Sequence, residues 1–113
     1  MPAMDTWDLT SLDVKPHFPE VLRSDDGAAR AILINLPAGE ELQEHEVHEH
    51  AWVHVHSGRA LIGQNGASTE AGPGFLAHFD PHERHDVRAV EDTRLLLVLA
   101  PWPGEGRDKN FDA

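Results

Sequence analysis

The chain has 113 residues, enough for one domain with a single core. Hydrophobic residues make up 40% and charged residues 26%, ordinary globular values, and no apolar stretch is long enough to predict a membrane span. Nine Lys and Arg against twenty Asp and Glu give a net charge of −11, so nucleic acid is not an expected partner. Without cysteine or a secretory pattern at the N-terminus, the expected location is cytoplasmic.

The first third of the chain contains one clear strand pattern. Met1–Val14 shows no sustained period and is expected to form an arm or an edge strand. Prolines on both sides of His17 exclude a central strand there. After a turn signal at Ser24–Gly27, the apolar run Ala28–Leu36 predicts a buried strand, which Pro37–Gly39 ends.

Short strand patterns and turns alternate through the rest of the chain. Asn65–Gly66 predicts a hairpin turn, because such turns need positive φ angles. The strand patterns are Trp52–His56, Arg59–Gly63, Phe75–Phe79, His85–Val90 and Thr93–Ala100. No segment has a long helical period. Short strands separated by turns predict a single all-β domain, a sandwich or a barrel.

Histidine is the unusual feature of the composition. Eight of the nine histidines lie within His45–His85. Imidazole is the commonest metal ligand in proteins, so the cluster raises the possibility of a metal site. Residues two apart on a strand share a face, so His54 and His56 face outward if Val53 and Val55 face the core.

Two motifs in this chain resemble the two conserved motifs of the cupins. Gly39-x5-His45, followed by Gly58, resembles the first motif, G-x5-H-x-H-x3-E-x6-G. Gly74 and His85 fall in the frame of the second motif, G-x5-P-x-G-x2-H-x3-N. The two motifs occur in the right order and with the spacing usual in small single-domain cupins.

This resemblance covers about Leu33–Leu99 and implies an antiparallel jelly-roll β-barrel with a small molecule bound inside it. It also implies a homodimer, in which the arm Met1–Val14 could be exchanged between subunits and cover a sheet edge. The chain then divides into this arm, a barrel domain at Lys15–Gly104 and a polar tail at Glu105–Ala113.

The chain departs from the family pattern at two of the four residues that usually hold the metal. In the motif frame the second histidine falls on Val47 and the glutamate falls on Ala51. The resemblance therefore leaves His45 and His85 as ligands. Two ligands seldom hold a divalent ion firmly, because zinc sites use three or four and iron facial triads use three.

Replacement ligands lie close to the vacant positions. His48 and His50 flank them, in a bend where strict alternation need not hold, and His82 precedes His85. We expect a site built from His45, His48, His50 and His85. Such a site suits a divalent transition metal: Zn, Ni, Fe, Mn or Cu.

Several alternatives remain open at this point. In a rival frame His48-x-His50-x3-His54 is a variant of the first motif, although it places Gly58 too early for the turn. His78 is expected to be a strand histidine rather than a ligand. The function is either that of a metal-dependent enzyme acting on a small polar molecule or that of a metal-free protein that binds or senses a ligand. The fold alone does not decide between them.

Overall fold

The computed structural model describes residues 4–107, without the side chains of residues 43–45. Within these residues nine β-strands form. The strands are β1 (Glu20–Ser24), β2 (Ala28–Leu36), β3 (Glu41–His45), β4 (His50–Ser57), β5 (Ala60–Gln64), β6 (Ala67–Ala71), β7 (Leu76–Phe79), β8 (His85–Ala89) and β9 (Thr93–Trp102). This part of the chain contains no helix that is long and apolar enough to span a bilayer.

The strands pair antiparallel in two sheets. One sheet has the order β1-β2-β9-β4-β7 and the other has the order β3-β8-β5-β6. Most spatial neighbours are distant in sequence, as in a jelly roll. Among the described residues the two sheets are not hydrogen-bonded to each other into a closed barrel. The prediction of an all-β, antiparallel jelly-roll fold is confirmed.

The hydrophobic core lies between the sheets, because each strand turns alternate side chains inward. Along β4, Ala51, Val53 and Val55 are buried, and the residues between them are half-buried on the outer face. On β9, Leu95 and Leu99 are buried against the same core. Burial of a Val or Leu side chain is worth about 1.5–3 kcal/mol, so this alternation fixes which face of β4 points inward.

The six strand patterns predicted from the sequence correspond to β2, β4, β5, β7, β8 and β9. Their ends differ from the predicted ends by two residues at most. The strands β1, β3 and β6 were not predicted. In β6 every side chain except that of Ala71 is exposed, so no alternation of apolar and polar residues marks the strand.

Two turns depend on positive φ angles. Asn65 (φ 55°) and Gly66 (φ 79°) connect β5 to β6, which confirms the predicted hairpin turn. Gly58 (φ 87°) follows β4 and packs against the backbone before β9. A Cβ atom at Gly58 would lie 2.1 Å from the carbonyl oxygen of Asp92, so glycine is required there for two reasons.

Residues 4–19 precede the first strand, and part of this arm lies on the outer face of the five-stranded sheet. Asn35 of β2 donates a hydrogen bond to the carbonyl oxygen of Val14. Arg94 of β9 donates to a carbonyl oxygen of the arm at 2.7 Å. Leu33 lies on this outer face and is nevertheless fully buried. Hydrogen bonds from two strands therefore hold the arm against this face.

The segment after β9 turns back over the start of β4. The Gly104 N–H donates to Oε2 of Glu49 at 2.6 Å, and Arg107 donates to both carboxylate oxygens at 2.6 and 2.9 Å. Two guanidinium groups, those of Arg30 and Arg107, each lie 4.8 Å from the centroid of the Trp102 ring. The buried ion pair between Arg107 and Glu49 thus holds the segment after β9 against the jelly roll.

Candidate metal site

Apolar side chains occupy the two interior positions at which the first motif would place metal ligands. Val47 is 6% exposed and Ala51 is 0% exposed, and both belong to the core. His85 is 2% exposed, and its ring stacks on Phe79 with 4.1 Å between the centroids. The Cα of His45 faces that of His85 in the β3–β8 register, but its side chain lies outside the described residues. The described interior therefore offers one imidazole in an apolar wall.

The His48 side chain contacts Glu105 and His82. Its Nδ1 is 3.1 Å from the carbonyl oxygen of Glu105, and its ring meets that of His82 edge-on with 5.0 Å between the centroids. Among the described side chains, His48 and His85 do not join His50 in one group of close ligand atoms. Their place in a metal site stays a prediction.

The structure instead brings His50 together with His78 and Asp80. Nδ1 of His50 lies 2.9 Å from Nε2 of His78, and these two atoms lie 3.6 and 3.9 Å from Oδ1 of Asp80. The His50 side chain is 41% exposed and that of Asp80 is 67% exposed. The group lies on the outer face of the five-stranded sheet, at its β7 edge.

These three atoms are spaced like the ligands of one ion. A point about 2.0 Å from all three exists, because their separations define a circle of about that radius, and Zn–N and Zn–O bonds measure about 2.0–2.2 Å. Two imidazoles and one carboxylate form a donor set that zinc and non-haem iron both use in proteins. The three ligand atoms all lie within 4.8 Å of one another, close enough for one ion to contact all of them.

Strand pairing explains how two distant segments form this group. In the β4–β7 pair Trp52 lies opposite His78, so residues of both strands that alternate with the core positions meet on the outer face. The Trp52 ring lies 5.8 Å from that of His50 and 5.0 Å from that of His78. Asp80 follows β7 directly, and its side chain reaches the same corner.

A turn after β7 fixes the backbone of Asp80. Its N–H donates to Oε1 of Glu83 at 2.6 Å, and the Glu83 N–H donates back to the Asp80 carbonyl oxygen at 3.1 Å. The second oxygen of Glu83 accepts from the side chain of Gln64, on the opposite sheet, at 2.8 Å. The loop that carries Asp80 is therefore tied to both sheets.

The remaining outward histidines of β4 do not contribute to this group. His54 lies further along the strand, so the rival set of His48, His50 and His54 is not brought together among the described side chains. His56 lies 2.9 Å from the hydroxyl of Thr10, in the arm. Backbone and side-chain hydrogen bonds, with the nearby His56, lower the pKa of Asp8 in the same arm.

Sequence reasoning missed His78 and Asp80. The missing information was the pairing of β4 with β7, which no local pattern indicates. One signal was available, however. Counting back in steps of two from His54, which is outward-facing, reaches Trp52 and then His50. The same alternation puts His78 on the outer face, because its neighbour Phe79 points inward.

A protein-family model described as the cupin domain matches residues 32–101, more than half of the chain. The chain therefore belongs to the cupin family. No curated protein matches it.

Solved structures of other proteins share this fold. An RmlC-like cupin from Desulfovibrio desulfuricans is 22% identical with a TM-score of 0.77, and the alignment covers 88% of this chain and 98% of that chain. A cupin superfamily protein from Desulfitobacterium hafniense is 15% identical with a TM-score of 0.73, covering 80% and 84%. A conserved protein of unknown function from Streptococcus pyogenes is 22% identical with a TM-score of 0.73, covering 88% and 89%. At these identities the likeness extends to the fold alone.

Proposed function

We propose that this cupin binds a divalent transition metal through His50, His78 and Asp80. The observation that carries this proposal is the spacing of one ligand atom from each residue, which leaves a common point at bonding distance. A metal held there would act as a Lewis acid toward a small polar molecule, because three protein ligands leave coordination positions open to solvent. Whether that leads to a reaction or to reversible binding depends on the ligand.

Imidazole nitrogens are common metal ligands in proteins, and the structure brings the ring nitrogens of His50 and His78 close together. At 2.9 Å the two nitrogens share one hydrogen, which a bound ion would replace. The Asp80 carboxylate adds negative charge beside them, which favours a cation. The net charge of −11 favours a cation further.

The motif-derived set His45, His48, His50 and His85 is the competing metal proposal. It would place the ion inside the jelly roll, where Val47 and Ala51 now occupy ligand positions. The two sets of ligands share only His50, so variants of the other residues distinguish the two proposals.

A direct test is calorimetric titration of chelator-stripped protein with Zn²⁺, followed by elemental analysis. We expect one ion per chain, and we expect His78→Ala and Asp80→Ala each to weaken binding by at least about tenfold, since even residues that support ligands cost that much. His54→Ala is the matched control, an outward histidine on the same strand, and should change the affinity little. Loss of Zn²⁺ in His85→Ala with full binding in His78→Ala would overturn the proposal in favour of the interior set.

A metal-free ligand-binding cupin is the second candidate function. The apolar interior favours it. Phe79, which stacks on His85, and the buried core residues Val47 and Ala51 suit a small organic molecule better than an ion. A cavity of about 370 Å³ opens between the edges β6 and β7 and is lined by Ile62 and Phe79, among other residues. Absence of metal after reconstitution with Zn, Ni, Mn, Cu and Fe(II) would favour this candidate.

A homodimer and a cytoplasmic location are further proposals. The first is supported by the family resemblance and by the exposed side chain of Leu76 beside the outer-face histidines. The second is supported by the absence of cysteine. Sedimentation velocity, with Leu76→Lys as the variant, would test the dimer.

A further inference from the structure

We propose that a second site, between the N-terminal arm and the five-stranded sheet, binds a small monocarboxylate with a compact apolar body. A cavity of about 460 Å³ lies there. His56 and Ser57 line it, so it is at the opposite end of β4 from His50. It is independent of the proposed metal group and shares no residue with it.

The walls of this cavity are mainly apolar. Leu36 and Pro37, at the end of β2, form one side, and Pro16, two residues after the arm, contributes to another. The volume falls within the range of about 300–1,000 Å³ that is usual for small-molecule sites. Sites of this kind combine apolar walls with a few placed polar groups, and Arg94 and His56 are the cationic or donor groups here.

Arg94 is held in place by bonds that leave one end of its guanidinium free for a ligand. Its Nε donates to Oδ1 of Asn35 at 2.8 Å, and its Nη1 donates to the carbonyl oxygens of Leu9 and Thr10 at 2.7 and 3.2 Å. Within residues 4–107 no acceptor is recorded for Nη2. An arginine fixed in this way loses little freedom when it binds a carboxylate.

His56 supplies a second group on the same cavity. Its Nε2 is 2.9 Å from the Thr10 hydroxyl, which orients the ring, and the described residues provide no hydrogen-bond partner for Nδ1. Thr10 itself belongs to the arm and lines the cavity. A carboxylate beside Arg94 and His56 would thus also lie next to the arm, through Thr10.

One acidic residue, Asp92, also lines the cavity and could favour an amine instead. Its Oδ1 accepts a hydrogen bond from the Ala38 N–H at 2.8 Å, so the carboxylate is engaged by the turn after β2. A cationic ligand would meet Arg94 in the same space. The charge of the preferred ligand therefore separates the two possibilities experimentally.

The test uses three probes of one shape and different charge: phenylacetate, phenylacetamide and phenethylamine. Calorimetric titration of the full chain, stripped of metal and then dialysed free of chelator, removes any contribution from metal. We expect phenylacetate to bind at least about tenfold more tightly than the amide, because hydrogen bonds to a charged group are roughly twice as strong as neutral ones. Equal affinity for the amide, or preference for the amine, would overturn the proposal.

Two variants locate the binding on the protein. Arg94→Met should lower the phenylacetate affinity at least about tenfold, whereas Arg59→Met, at an exposed arginine paired with Glu70, should not change it. Because Arg94 also holds the arm, Ser57→Phe provides a second test that fills the cavity and keeps the Arg94 hydrogen bonds. Full phenylacetate binding in a folded Ser57→Phe protein would refute the assignment.

Discussion

Replacing Arg107 with methionine should destabilise the protein strongly, although the residue lies after the last strand. Arg107 donates to both oxygens of Glu49, whose side chain is 0% exposed. Removal of one partner of a buried ion pair costs about 3–5 kcal/mol, because the other charge stays buried without compensation. That is a large share of the about 5–15 kcal/mol that stabilises a typical domain. Urea unfolding at pH 7, followed by tryptophan fluorescence and circular dichroism, measures the loss.

The pH dependence gives a second readout of the same ion pair. Burial raises the pKa of the Glu49 carboxyl, but the hydrogen bonds from Arg107 and from the Gly104 N–H outweigh it, so the pKa lies below its ordinary value of 4.5. A lowered folded-state pKa contributes stability that is complete above 4.5 and is lost as the pH falls through the folded value. The difference in unfolding free energy between the parent and Arg107→Met should therefore shrink in acid.

Two controls define what would refute this reasoning. Arg59→Met removes an exposed ion pair and should cost no more than about 1 kcal/mol. The double variant Glu49→Met with Arg107→Met removes both charges and should recover much of the lost stability. A loss below about 1 kcal/mol for Arg107→Met at pH 7, with no change in acid, would mean that the ion pair does not stabilise the fold.

Two further predictions concern the turn after β4 and the interior motif positions. Gly58→Ala should lower the unfolding free energy by more than Gly39→Ala does. Both glycines have positive φ angles, but of the two only Gly58 would bring a Cβ against the Asp92 carbonyl oxygen. Urea midpoints that fall equally in the two variants would contradict this contact. Val47→His with Ala51→Glu restores the family's ligand pattern in the core. Without metal this variant should be less stable than the parent by more than about 2 kcal/mol. If His45 and His85 face the same space, Zn²⁺ should recover part of the lost stability. Thermal melting with and without Zn²⁺ would measure both effects.

The sequence predicts most of the fold but only one member of the proposed ligand group. The strands β2 and β9 are apolar runs with a buried face, and alternation in β4 follows from its valines. The strand β6 has almost no buried side chain and therefore leaves no pattern. For the site, the bend before β4 prevents the sequence from showing which histidines there face inward and which face outward. The pairing of β7 with β4 depends on the order of strands in the sheet, which is a long-range property. His50 was predicted as a ligand, but its partners His78 and Asp80 were not.

Glu83 fixes the backbone of the proposed ligand group, although the side chains of that group lie on the protein surface. By accepting hydrogen bonds from the Asp80 N–H and from Gln64, it joins the β7 edge of one sheet to β5 of the other. The backbone that carries the acidic ligand is therefore ordered when the protein folds, before any ion arrives. Pre-organisation of this kind strengthens binding because less conformational entropy is lost on association.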